Sequence, residues 1–134
     1  MDMEKARYHM IEQQIRPWNV LDQRLLDAMA TIPREEFVPN DQRLRAFMDI
    51  AIPLGDGELM MHPKLEGRLL QALNLKPDDS VLEVGTGSGF VTALLSSLAA
   101  TVTTVEINPS VSQAAAEKLT SHGITNVTFK VGDG

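Results

Sequence analysis

The chain contains no cysteine, no basic tract and no apolar run long enough to cross a bilayer. The first absence excludes disulfides, thiolate metal sites and a cysteine nucleophile, and agrees with a reducing compartment. The second, with a net charge of −6 and a pI near 4.9, argues against a nucleic-acid backbone as the main partner. The third argues against a membrane-spanning helix. The N-terminal MDMEKARYHMIEQQIRPW mixes both signs of charge and lacks the apolar core of a signal peptide. The expectation is a cytoplasmic protein with no membrane partner, no nucleic-acid partner and no metal site. Repeats and low-complexity tracts are also missing. So is G-x-x-x-x-G-K-[ST] for a nucleoside triphosphate, and so is the G-x-S-x-G nucleophile elbow, because Thr86 and Phe90 stand where that motif needs glycines around Ser88.

What is present fits a small globular domain: 134 residues with 43% hydrophobic content can bury a core. The polar turn Lys76-Pro77-Asp78-Asp79 divides the chain into residues 1–76 and 77–134, with Pro77 stopping the preceding helix. Before it, Met3, Ala6, Met10, Ile11 and Ile15 recur at helical spacing. Leu21, Leu25, Ala28, Met29 and Ile32 do so again, with Asn19 as the expected cap. The stretch Ala51 to Pro63, broken by proline and glycine, reads as irregular loop, and Leu65, Leu69, Leu70 and Leu73 predict a third helix. The first half is thus a helical layer.

After the turn the period changes. Val81 to Val84 predicts a strand, the glycines a turn, and Phe90, Ala93, Leu94 and Leu98 a helix. Val102 to Ile107 predicts a second strand, Asn108-Pro109 the start of a second helix ending near Gly123, and Val127, Phe129 and Val131 a third strand. Strands joined by helices pair in parallel, which gives half of an open doubly wound α/β sheet in order 3-2-1.

The stretch VLEVGTGSGF places Gly85, Gly87 and Gly89 directly behind the first strand. A strand turning sharply into a helix presents unpaired N–H groups and a positive dipole end, and glycine lets a ligand come close. Phe90 stands where a dinucleotide fingerprint needs glycine or alanine, which disfavours a nicotinamide cofactor. Glu106 follows Gly85 by 21 positions, near the offset of about 20 at which a carboxylate meets ribose hydroxyls; the plainer reading is a glutamate capping the next helix. Asp133, at the end of the third strand, is placed to accept from an exocyclic adenine amine or to serve as an ordinary turn aspartate. Together these positions line one crevice suited to an adenosine-containing ligand with a short remainder.

VLEVGTGSGF, TTVEINPSV and NVTFKVGDG, in that order, resemble the successive cofactor motifs of class I S-adenosylmethionine-dependent methyltransferases. MIEQQIRPW, IPREEFVP and LEGRLLQAL extend the likeness to the protein-L-isoaspartate O-methyltransferase family over essentially the whole chain. The resemblance implies a three-layer, Rossmann-like fold with an N-terminal helical layer, and S-adenosyl-L-methionine as cofactor. It implies further strands and helices beyond Gly134. It also implies that Gly85, Thr86, Gly87, Ser88 and Gly89 wrap the methionine part and that Glu106 binds the ribose. Asp133 and Gly134 would face the adenine, and Glu83 would fix the strand-turn junction or meet the cofactor's ammonium. The implied partner is a protein or peptide with an isoaspartyl or other carboxylate acceptor, methylated in protein repair.

One segment departs from the family pattern. Where the family has a Thr-Ile-Ser-Ala-Pro-His type of sequence before the third helix, this chain has Leu59-Met60-Met61-His62-Pro63-Lys64. Met61 stands at the position of the serine that lies beside the transferred methyl and the substrate carboxylate, and two hydroxyls are gone. Two readings follow: an isoaspartyl carboxyl methyltransferase, or a divergent or non-catalytic S-adenosylmethionine-binding protein with another acceptor. Lys64 reads either as a holder of an acidic acceptor or as a solvated lysine. His62 reads as a loop residue with a small claim to chemistry, and His9 and His122 carry no function. An unpaired edge at the first strand predicts self-association of the 134-residue chain.

Overall fold

Helix α1 (Met3–Met10) starts where the Asp2 side chain accepts a hydrogen bond from Lys5 N at 3.1 Å. In the computed structural model, which describes residues 1–55 and 57–134, the helical spacing runs on past Met10, but not as one α-helix. Ile11–Ile15 widen into a π turn and Arg16–Trp18 tighten into a 3-10 turn, closed by Asn19 in the left-handed conformation. Pro17 has no N–H for the carbonyl four residues earlier, so the regular ladder fails ahead of it. Helix α2 (Gln23–Thr31) is capped by Asp22, whose carboxylate accepts from Arg24 N and Leu25 N. This corrects the expectation for Asn19: the acceptor directly before the amphipathic run takes the cap, and Asn19 ends the previous turn instead. Ile15, Val20, Leu25, Leu26, Met29 and Phe37 are buried in this unit, Met1–Asn74.

Residues 51–63 are not irregular throughout. Strands β1 (Ile52–Gly55) and β2 (Glu58–Met60) form an antiparallel hairpin in which Ile52 pairs with Met60, and both side chains are buried. The proline and glycines that suggested a loop mark instead a short, bulged hairpin of edge strands. Helix α3 (Pro63–Leu73) opens with proline at its first position and ends at Asn74, in the left-handed conformation, three residues before the expected stop at Pro77. A Cβ on Gly67 would come within 3.3 Å of Ile15 and Val20, so the small residue sets the approach of α3 to the π turn.

The second compact unit, Leu75–Gly134, alternates strand and helix: β3 (Ser80–Val84), α4 (Phe90–Leu98), β4 (Thr101–Glu106), α5 (Pro109–Ser121) and β5 (Val127–Val131). The strands are parallel in spatial order β3-β4-β5, with Leu82 beside Thr103 and Glu106 beside Val131. This is the expected 3-2-1 half of a Rossmann-like α/β sheet. Val102, Thr104 and Glu106 alternate inward on β4 toward the face that carries the helices, where Phe90, Leu94, Leu98, Ala115 and Leu119 are buried. Leu82 and Val84 point the other way and are each 67% exposed. Asn108 caps α5 by accepting from Ser110 N and Val111 N. Among the described residues no helix is long and apolar enough to cross a membrane, and no group of histidines and carboxylates is arranged to hold a metal.

Candidate cofactor cradle and acceptor-side segment

The three strand tips of the second unit meet at their carboxyl ends. Gly85 N donates to the Val105 carbonyl at 2.7 Å, and Gly132 N donates to the Glu106 carbonyl at 3.0 Å. A Cβ on Gly134 would lie 3.2 Å from Val84, so the end of the β5 segment lies against the tip of β3. The expected positions Gly85, Gly87, Glu106, Asp133 and Gly134 therefore come together on one sheet edge. The glycines differ in what they do. At Gly85, with φ +94°, an added Cβ would meet nothing within 4 Å: the backbone demands glycine and the space beside it is open. At Gly89, with φ +86°, a Cβ would meet Ala115 and Leu119 at 3.1 Å, so this glycine seats the start of α4 against α5.

Glu106, only 9% exposed, accepts from Gly87 N at 3.1 Å through one carboxylate oxygen and from Asn108 N at 3.0 Å through the other. One side chain thus ties the glycine turn to the start of α5. Two bonds leave a carboxylate about half of its accepting capacity. Glu83 sits behind the turn rather than in the crevice: its Oε1 accepts from Thr92 at 2.5 Å and from Thr104 at 2.7 Å. Burial pushes its pKa up, the two hydroxyls pull it down and nearby Glu106 pushes it up further. Thr86 is buried and its hydroxyl shares a hydrogen bond of 2.6 Å with Thr104, which leaves the main chain as its contribution to any ligand. The Ser88 hydroxyl accepts from Phe90 N at 3.2 Å, inside the turn. Asp133 is exposed.

The segment expected on the acceptor side, Leu59 to Lys64, lies in the first unit and is organised by a residue that sequence reasoning passed over. Arg34, with no exposed surface, donates from Nε to the Ala46 carbonyl at 2.7 Å, from Nη1 to Glu66 and from Nη2 to the Met61 carbonyl at 2.9 Å. Glu66 is 1% exposed, and burial pushes its carboxyl up to about 7 against the opposing pull of the Arg34 guanidinium. Met61 is exposed. Pro63 and Lys64 begin α3, and the Lys64 ammonium sits 3.0 Å from Asp49 and 4.5 Å from the centre of the Trp18 ring. A second buried pair, Arg7 with Glu35, makes two bonds of 2.8 Å. Arg34 and Glu66 are separated by 32 positions, so no local spacing announces them. Thr92 and Thr104 fall within the expected helix and the expected second strand; the register that sets Thr104 beside Glu83 was the available signal.

Comparison with known proteins agrees with this geometry. The family model for protein-L-isoaspartate(D-aspartate) O-methyltransferase matches residues 5–134. A protein-L-isoaspartate O-methyltransferase of Roseiflexus castenholzii is 43% identical over 134 residues, covering 100% of this chain and 61% of its own length. One from Petrotoga mobilis is 39% identical over the same span, covering 63% of its own length. The chain therefore spans less than two thirds of these curated relatives. A solved protein-L-isoaspartate O-methyltransferase superposes with a TM-score of 0.79 at 27% identity, over 98% of this chain and 42% of that one. A Plasmodium falciparum beta-aspartate methyltransferase solved with S-adenosyl-L-homocysteine shares the fold, with a TM-score of 0.74 at 16% identity over 96% of this chain and 62% of that one. By these matches and by its folded strand tips, the chain belongs to the protein-L-isoaspartate(D-aspartate) O-methyltransferase family.

Proposed function

We propose that this chain carries the cofactor cradle and the acceptor-side segment of an S-adenosylmethionine-dependent methyltransferase acting on isoaspartyl carboxylates of protein or peptide substrates. The division of labour is residues 77–134 for cofactor and 1–76 for acceptor. The observation that carries the reading is the open space at Gly85 beside the Glu106 carboxylate. The residues present fit such a nucleoside. Glu106 keeps accepting capacity for two ribose hydroxyls, Gly85 and Gly87 leave main chain open to close approach, and Asp133 and Gly134 stand on the same edge for the adenine. Gly89, Ser88, Thr86 and Glu83 shape the turn from behind. S-adenosylmethionine, when bound, supplies an activated methyl group. A carboxylate acceptor is already ionised near neutral pH, so the chain's residues orient it and exclude water rather than remove a proton. Membership in the family does not favour the alternative of a non-catalytic or divergent binder, which rested on Met61 in place of the serine.

Titration of the protein with S-adenosylmethionine should show saturable binding that Glu106→Ala weakens, and an isoaspartyl peptide with labelled cofactor should yield a base-labile methyl ester. No heat of binding with the unmodified chain would refute the proposal. A cytoplasmic location and the lack of a nucleic-acid partner belong to the same reading, supported by the charge of −6. The outer edge of β3, which pairs only with β4 among the described residues, supports self-association of the 134-residue chain. Sedimentation that is independent of concentration would contradict that.

A further inference from the structure

We propose that Arg34 is the positioning residue of the acceptor side: its three-way grip fixes the main chain of Met61, and through it the place where an acceptor carboxylate is presented. The inference rests on the methyltransferase reading above. Met61 contributes a thioether where the family has serine, so its side chain offers no hydroxyl for orienting a substrate; what remains to define the segment is the path of its backbone. That path runs from β2 to the first turn of α3, and Arg34 holds both ends of the connection. Nη2 takes the Met61 carbonyl at 2.9 Å and Nη1 takes the Glu66 carboxylate one turn into α3, while Nε is anchored on the Ala46 carbonyl at 2.7 Å. A guanidinium is planar and presents its donors in a fixed fork, so these three acceptors are locked in mutual orientation. Both charged partners are almost wholly removed from water. Water does not reach the Arg34–Glu66 contact, which therefore has no competing solvent arrangement. The exposed pair on the same segment, Lys64 with Asp49, lacks that protection: Asp49 is half open to solvent, and its hold on the helix start is correspondingly weak.

The test uses the full natural chain and two variants that keep a polar group in place. Arg34→Lys retains a buried cation but has no fork, and cannot reach all three acceptors at once. The Michaelis constant for an isoaspartyl peptide should rise by about tenfold or more, with the Michaelis constant for S-adenosylmethionine changed by less than about twofold. Backbone amides of residues 61–65 should exchange faster with deuterium while those of β3 to β5 keep their rates. Glu66→Gln, which still offers Nη1 an acceptor, should show the same pattern at smaller amplitude, and it carries the test if Arg34→Lys does not fold. Both Michaelis constants rising together, or unchanged exchange at residues 61–65, would reduce Arg34 to a structural residue and overturn the proposal. If the unmodified protein transfers no methyl group, the functional reading falls, and the exchange pattern alone still decides whether Arg34 holds the segment.

Discussion

The two compact units treat buried acids in opposite ways. In Met1–Asn74 the buried carboxylates meet cations: Glu35 is paired with Arg7 and Glu66 with Arg34. In Leu75–Gly134 they meet neutral donors: Glu83 is held by the hydroxyls of Thr92 and Thr104, Glu106 by the N–H groups of Gly87 and Asn108. An ion pair spends the charge internally and fixes the elements it joins. Neutral donors satisfy the oxygens without a countercharge; at Glu106 this leaves a carboxylate at the sheet edge, where hydroxyls and a cationic ligand group would feel it. The first unit is therefore built to hold a shape, and the second to hold a potential.

The comparison breaks most sharply at Glu66. Glu66→Leu leaves the Arg34 cation buried without its partner, and an arginine cannot escape by losing a proton. The expected loss is about 3–5 kcal/mol of stability, measured by urea denaturation. The double variant Arg34→Met with Glu66→Leu should lose less than Glu66→Leu alone, because the stranded charge is gone. A double variant as unstable as the sum of both singles would mean that the pair is held by packing rather than by charge.

The same carboxyl sets a pH dependence whose sign follows from its environment. Its folded value is raised from 4.5 to about 7, chiefly by burial. Between those values the folded state holds a proton that the unfolded state has released, so this group's contribution is full below pH 4.5 and is lost as the pH rises through about 7. The slope is at most about 1.4 kcal/mol per pH unit, the one-proton limit. Subtracting the denaturation profile of Glu66→Gln from that of the unmodified chain should leave a decline over this window. A flat difference would place Glu66 as a fully ionised partner of Arg34 on both sides of it.

Legibility divides along the same line. The strand-turn-helix order of the second unit was readable because its determinants are local: glycines where φ must be positive, Asn108-Pro109 where a helix must start, alternating valines where a strand is half buried. Glu106 was found by its distance from the glycines. The first unit hid its organising contacts, since Arg7 and Glu35 lie 28 positions apart and Arg34 and Glu66 lie 32 apart. The hairpin at Ile52–Met60 was hidden because proline and glycine punctuate edge strands and loops alike. Thr104 concealed its role for another reason: threonine favours strands whatever its hydroxyl does.

A third prediction separates glycines that look alike in sequence. Gly89→Ala meets both a left-handed φ and contacts of 3.1 Å with Ala115 and Leu119, and should cost about 2 kcal/mol. Gly85→Ala faces the strained φ with open space beside it, and should cost about 1 kcal/mol. Binding of S-adenosylmethionine should respond in the reverse order, with Gly85→Ala weakening it more per unit of stability lost. Calorimetry on both variants checks this, and equal binding losses would erase the distinction between packing glycine and cradle glycine.

The smallest expected effect tests the neutral-donor arrangement itself. Thr104→Val conserves shape but removes the hydroxyl that bridges Thr86 and Glu83. Glu83 keeps Thr92 as a donor, so it is not stranded, and the loss should be about 1 kcal/mol. With one stabilising hydroxyl gone and burial unchanged, the already raised pKa of Glu83 moves further up. The variant should consequently gain stability relative to the unmodified chain as the pH falls, since a carboxyl that binds its proton more readily when folded is favoured by acid. Denaturation curves at two pH values are enough to see the sign. A Thr104→Val deficit that grew toward acid would show that the bridge holds Glu83 in its protonated form, and the contrast between charge spent in the first unit and charge kept in the second would then fail at its central residue.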